Sequence, residues 1–100
     1  MVEVIWAEPA LSDLNTIAEY IAIDKPVAAG KFVKKVFSEV GLLSTFPNMG
    51  RRPHELPKTS IYRELIVKPC RIFYRQVEGQ VFIIHIMRSE QLFRSHLLNR

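Results

Sequence analysis

The sequence predicts an α+β domain, with a helical hairpin laid on one face of a mainly antiparallel β-sheet. Three observations predict it. Apolar residues recur at helical spacing twice between residues 9 and 43, the two runs separated by an Asp-Lys-Pro break. Three short runs rich in β-formers follow between residues 62 and 87, punctuated by two turn signals. Between these halves lies "PNMGRRPHELPKTSI", with three prolines and one glycine, which reads as a long surface loop.

Taken in order, "VEVIW" at residues 2–6 alternates loosely and reads as a first strand. Pro9 suits the first turn of a helix, where its missing N–H costs nothing. Leu14, Ile17, Ala18 and Ile21 then mark a helix over about residues 9–23, with Asp13 placed to favour its dipole. Asp24 and Pro26 form the expected cap and opening of a second helix. Its stripe is Ala29, Phe32, Val33, Val36, Val40 and Leu43, and it should stop before Pro47. Two helices joined so closely make an antiparallel hairpin. Strands are expected at 62–67, 71–77 and 81–87, linked by Lys68-Pro69 and Glu78-Gly79 turns. A short terminal helix follows, with Ser89 as its N-cap and Leu92, Phe93, Leu97 and Leu98 as its apolar residues.

Size and composition bound the function. One hundred residues, 48% apolar and 24% charged, suit a single globular domain over 1–100. The lone Cys70 excludes an intramolecular disulfide and points to a reducing compartment. The N-terminus lacks the basic region of a signal peptide, and no apolar run approaches the roughly 20 residues of a membrane span. A cytoplasmic protein without a membrane partner is expected. No glycine loop to cradle a phosphate is present, and His54, Cys70, His85 and His96 show no ligand spacing, so neither cofactor nor metal is expected.

Charge is unevenly placed. The net charge is +4, but residues 1–50 carry −2 and residues 51–100 carry +6, including all eight arginines. Such asymmetry directs the second half toward an anionic or acidic partner. Arg51 and Arg52 lie in the loop, while Arg63, Arg71, Arg75 and Arg88 sit within or at the ends of strands. Guanidinium groups there can fork onto phosphates or carboxylates.

In the last strand, strict alternation puts Phe82, Ile84 and Ile86 on one face and Val81, Ile83, His85 and Met87 on the other. Both faces are mainly apolar, yet a helical hairpin covers only one. Either the C-terminal segment folds back over the second face, or a partner chain covers it.

The chain resembles the ParE/RelE superfamily of bacterial type II toxins over essentially its whole length. The resemblance is carried by "EPALSDLNTIAEYIAIDKPVAAGKFVKKVF", "FPNMGRRPHEL", "YRELIVKPCRIFYRQ" and "IIHIMRSEQLFRSHLL", in this order and spacing. It implies the RelE/ParE-like fold and a cognate antitoxin whose extended C-terminal segment wraps the toxin, with Phe73, Ile83, His85 and Met87 as the expected contacts. RelE-like members cut messenger RNA on the ribosome without a metal, whereas ParE-like members poison DNA gyrase. Cleavage through the RNA 2′-OH needs a proton acceptor, cations on the phosphate and a proton donor for the leaving oxygen. Arg71 and Arg88 match the phosphate-stabilising arginines of RelE-like enzymes, and Arg63 roughly matches their basic strand residue. His85 is available as a base, or is simply a structural strand histidine. The second lysine of the RelE-like K-x-K strand falls near Leu65, and the C-terminal tyrosine near Phe93 or Arg94. These departures, and a helical hairpin more ParE-like in character, favour gyrase poisoning, with Arg51, Arg52, Arg63, Arg71 and Arg88 as target contacts. A RelE-like nuclease using Arg63, Arg71, His85 and Arg88, with ribosome and message as partners, is the alternative. A non-toxic binding module is a further one.

Overall fold

In the computed structural model, which describes residues 1–91, 93, 94, 97 and 98, the chain begins with strand β1 (Glu3–Trp6). Helices α1 (Glu8–Asp24) and α2 (Pro26–Gly41) follow, with a 3-10 turn at Leu42–Ser44. Strands β2 (Tyr62–Val67), β3 (Cys70–Val77) and β4 (Gln80–Arg88) complete one four-stranded sheet in the order β1-β4-β3-β2. β1 runs parallel to β4, and the other pairs are antiparallel. This is the α+β architecture the sequence predicts.

Pro9 and Pro26 open their helices as expected, because the first turn leaves N–H groups without intrahelical acceptors in any case. The expected cap differs. Asp24 is the last residue of α1, and Lys25 alone separates the helices, donating its N–H to the Ile21 carbonyl and accepting from Ala29 N–H. So short a joint folds α2 back along α1. Ala10, Leu14 and Ile17 from α1 and Phe32, Val36 and Val40 from α2 then pack on Leu65, Val67, Ile72, Tyr74, Val81, Ile83 and Ile86 of the sheet. The β3–β4 hairpin turns at Glu78 (φ 46°) and Gly79 (φ 79°), the left-handed pair that a two-residue turn of this twist requires.

One irregularity corrects the predicted faces. Phe73 pairs with His85 but Tyr74 pairs with Ile83, so Ile84 is an extra residue in β4. A bulge of one residue inverts every side chain beyond it. Val81 and Ile83 therefore lie on the helix side together with Ile86, while His85 and Met87 point to the opposite face beside Phe73.

That opposite face is not open. Phe73, Met87 and His85 are 0%, 3% and 5% exposed. Leu56 from the loop and Phe93 and Leu98 from beyond β4 cover them, and the Tyr62 hydroxyl donates to the Leu98 carbonyl at 3.1 Å. Of the two alternatives the sequence leaves open for this face, the chain takes the first and supplies its own cover, with the loop's Leu56 added to it. Leu97 and Leu98 lie in a 3-10 turn, and Leu97 N–H reaches the Arg94 carbonyl. The rest of the expected terminal helix, at residues 92, 95, 96, 99 and 100, lies outside the described residues.

The long loop is pinned rather than free. Gly50 donates its N–H to the Tyr74 hydroxyl at 2.9 Å, and that hydroxyl donates to the Pro47 carbonyl at 2.9 Å. Arg51 exchanges backbone hydrogen bonds of 3.0 and 2.8 Å with Glu64, adding a single bridge to the outer edge of β2. A Cβ at position 50 would lie 2.5 Å from the Tyr74 hydroxyl oxygen and 2.8 Å from the Glu64 carbonyl oxygen. Gly50→Ala should therefore destabilise the fold by about 1–3 kcal/mol. Thermal melting will check this, at roughly 4–8 °C per kcal/mol for a domain of this size. An unchanged melting temperature would show that Tyr74 does not clamp the loop.

Candidate functional site

The helix-free face of the sheet carries a cluster of buried charge. Glu64 shares one face of β2 with Tyr62 and Ile66, and Arg71 follows seven residues later across the Lys68-Pro69 turn, opposite Ile66. Both thus point away from the helices. Arg71 donates from Nε to Glu64 Oε1 at 2.6 Å and from Nη1 and Nη2 to the two oxygens of Glu55, each at 2.7 Å. Arg51 donates from Nε to the other Glu64 oxygen at 2.9 Å. The Glu64 side chain is 0% exposed, that of Arg71 9%, and that of Arg51 63%. The Arg71 guanidinium also lies over the rings of Phe73 and Phe93, 5.0 and 5.6 Å from their centroids.

Electrostatics follow from this geometry. The paired hydrogen bonds from Arg71 hold the Glu55 carboxyl below its ordinary value, against the opposing effect of burial. The same bonds push the Arg71 guanidinium upward, so it remains charged at any pH of interest. Arg71 therefore has its fork filled by a carboxylate of its own chain.

A second polar cluster joins α1 to β4. His85 Nδ1 lies 2.7 Å from Asp13 Oδ2, which also accepts the Ile86 N–H at 3.1 Å, just beyond the bulge. Both sit beside a cavity of about 240 Å³ bounded by Thr16, Ile17, Met87 and Gln91. His85 Nε2 is buried with no hydrogen-bond partner among the described residues. A carboxylate on one imidazole nitrogen fixes the orientation of the ring.

The structure separates the predicted site residues. Arg63 stands opposite Tyr74, on the helix side, and donates to the Gly50 and Asn48 carbonyls at 2.8 and 3.4 Å. Arg88 pairs with Cys70, also on the helix side but at the far end of β4. Its guanidinium lies 4.4 Å from the Tyr20 ring centroid and 3.3 Å from Glu90. Arg71 points to the opposite face. Arg51 and Arg52 are exposed on the loop, Arg52 donating to the carbonyls of Lys58 and Ser60. Of the expected antitoxin contacts, Ile83 is buried beneath the helices, and Phe73, His85 and Met87 are buried under the loop and C-terminal cover. The bulge thus splits this set between the two faces, and in the lone chain both parts are covered.

Cys70 is fully buried, and burial pushes its thiol up to about 11, which removes it as a nucleophile. Among the described residues, no three His, Cys, Asp or Glu side chains are placed to hold a metal ion. None of the described helices is long and apolar enough to cross a membrane. Sequence reasoning missed Glu55, Glu64 and Asp13. The alternation of β2 and its proximity to Arg71 across one turn were a usable signal for Glu64. Nothing local marks Glu55.

With this geometry in view, relatives can be compared. The sequence profile described as the ParE toxin of the type II toxin–antitoxin system, parDE, matches residues 4–93. The chain belongs to the ParE toxin family. Within the family's wider circle, it is 31% identical over 93 residues to "Toxin RelE2" of Caulobacter vibrioides, covering 92% of this chain and 100% of that one. It is 34% identical over 88 residues to "Putative toxin Y4kP" of Sinorhizobium fredii, covering 86% of each. Among solved structures, it matches one titled "Chromosomal ParDE TA system from P. aeruginosa" at a TM-score of 0.76 and 28% identity, over 90% of this chain and 98% of that one. A copper-bound mutant toxin from Helicobacter pylori shares the fold at a TM-score of 0.61 and 13% identity, over 93% and 100%. The protein is a toxin of a type II toxin–antitoxin system, and its family implies a cognate antitoxin.

The Glu55–Arg71 pair makes a pH prediction. A carboxyl held low in the folded state stabilises the fold above its unfolded value, and that contribution is lost as pH falls through the folded value. Glu55 has an ordinary value of 4.5, so its loss should begin near there and continue below. Urea unfolding from pH 7 down to strongly acidic pH should show the wild-type stability falling more steeply than that of Glu55→Gln. Parallel curves would mean that the pair contributes nothing to the fold.

Proposed function

We propose that this toxin arrests growth by binding and inhibiting DNA gyrase, not by cutting messenger RNA. The observation that carries the reading is the divergence of Arg63, Arg71 and Arg88. A pentacoordinate phosphate needs cationic donors converging on one point. Here the three guanidiniums occupy two faces and opposite ends of the sheet, and the Arg71 fork is filled by Glu55. Similarity to a structure whose title names a ParDE system supports the same reading.

Target contact then falls to cations that the chain leaves at its surface, Arg51 and Arg52 foremost, with Arg63 and Arg88 at the sheet's ends. Arg71 acts as the brace of the face. For the antitoxin, direct contact with Phe73, His85 or Met87 requires displacing Leu56, Phe93 and Leu98, and Ile83 stays out of reach beneath the helices. Exposed Tyr20, Ile23 and Val27 at the hairpin tip offer an apolar surface without such displacement.

The nuclease reading keeps one specific support, the Asp13–His85 pair, whose fixed imidazole has the form of a general base. The similarity to a protein named "Toxin RelE2" points the same way. Two assays separate the readings. Purified toxin should block gyrase supercoiling of relaxed plasmid, or trap cleaved gyrase–DNA complexes, at near-stoichiometric amounts. Primer extension on translated messages should show no toxin-dependent cuts. Unimpaired supercoiling at excess toxin, with cuts that disappear in His85→Ala, would replace this proposal with the nuclease.

A further inference from the structure

The segment "RRPHELPK" at residues 51–58, whose Arg51 and Arg52 the gyrase reading already uses, also lines a groove which that reading leaves unassigned. Its single acid, Glu55, turns inward and gives both oxygens to Arg71. Arg51 is balanced by the buried Glu64. Arg52 is held differently. Its guanidinium is fixed only through Nη1, onto the carbonyls of Lys58 and Ser60, and it makes no ion pair among the described residues. Neighbouring Arg63 is likewise fixed onto the carbonyls of Asn48 and Gly50, again with no ion pair among the described residues. Carbonyl oxygens orient a guanidinium without cancelling its charge. The loop thus sorts its charges, with acids inward and oriented cations outward.

Beside Arg52 runs a shallow groove of about 760 Å³ lined by Arg52, Pro53, His54, Leu56, Pro57 and Lys58. Its rim is cationic and its floor is proline and leucine. The His54 side chain is 80% exposed at the rim. A single nucleic-acid strand has the complementary make-up: charged phosphates alternate with the apolar faces of sugars and unstacked bases. Guanidiniums fork onto phosphate oxygens, and an ammonium adds a point charge.

We propose that the outward face of the 51–58 loop is a binding site for the sugar–phosphate backbone of single-stranded nucleic acid, with Arg52 and Lys58 as phosphate contacts. The site needs neither gyrase nor ribosome, so it stands or falls separately from the target assignment. About two phosphates would be neutralised, which gives a log–log salt slope of roughly −1.4 for a single strand.

Fluorescence anisotropy with short labelled oligo(dT), oligo(U) and duplex DNA of equal length tests it, using full-length toxin at several salt concentrations. Oligo(dT) and oligo(U) distinguish a deoxyribose from a ribose source for the same chemistry. Expected are binding of at least one single strand in preference to the duplex and a slope of roughly −1.4. Lys58→Gln leaves the Lys58 backbone carbonyl that holds Arg52 in place, and should weaken binding about threefold while lowering the slope by roughly 0.7. Arg52→Gln with Lys58→Gln should weaken binding about tenfold. Lys34→Gln with Lys35→Gln, on the exposed face of α2, should change nothing. The proposal is overturned by absent binding at low salt, by preference for duplex, by an unaffected Lys58→Gln, or by equal loss in the α2 variant. Any of these outcomes would return the loop's cations to general solubility or to contacts with an acidic protein.

Discussion

Glu64 is the constraint on which the sheet's second face depends. A carboxylate with no exposure to water is tolerable only if both oxygens are met by charged donors, and Arg71 and Arg51 meet one each. Removing one partner from such a buried group costs about 3–5 kcal/mol, a large share of the 5–15 kcal/mol that a small domain has in total. The demand propagates outward. Arg51 must lie against β2, so the loop crosses the sheet edge at that point. Arg71, anchored by Glu64, then presents its remaining fork to Glu55, which fixes the next turn of the same loop. Leu56 follows Glu55 in sequence and drops onto the face where Phe73 and Met87 are waiting. One buried carboxylate thus determines how fifteen-odd residues without regular structure are laid down.

The bulge at Ile84 does the complementary work on β4. Without it, His85 would face the helices and Ile86 the loop. With it, Ile86 joins the main core, its N–H is freed from the ladder to meet Asp13, and His85 reaches the same carboxylate. Asp13 therefore fastens α1 to the sheet at the point where regular pairing lapses. This is the usual place for a bulge to act, since it re-aims side chains while leaving flanking pairs intact.

What the sequence made legible divides along the same line. Both helices, all four strands and the two hairpin turns were readable, because helical and strand periodicities and proline positions are local signals. Val33, Val36 and Leu43 stood in the stripe for that reason. The face assignments in β4 failed because period-2 reasoning assumes an unbroken ladder, and nothing in "VFIIHIM" announces an extra residue among β-branched neighbours. Closure of the second face stayed one of two alternatives for a different reason. Its cover comes from Leu56, Phe93 and Leu98, single residues in irregular segments, and a lone leucine between prolines carries no periodicity. The arginines were found by type, but their directions are long-range facts: Arg63 and Arg71 look alike in the sequence and point to opposite sides of one sheet. Glu55 and Asp13 acquire their meaning only from partners 16 and 72 residues away.

The distribution of charge distinguishes a binding surface from a reactive one. Catalysis of phosphoryl transfer rests on donors held toward the place where charge develops, with no acid already occupying them. In this toxin the deepest guanidinium, Arg71, is the one most fully neutralised, and the cations left uncancelled lie outside, fixed by carbonyls on a proline-bounded loop. The interior charges hold the loop in shape, and the outer cations are left free to meet an anionic or acidic surface.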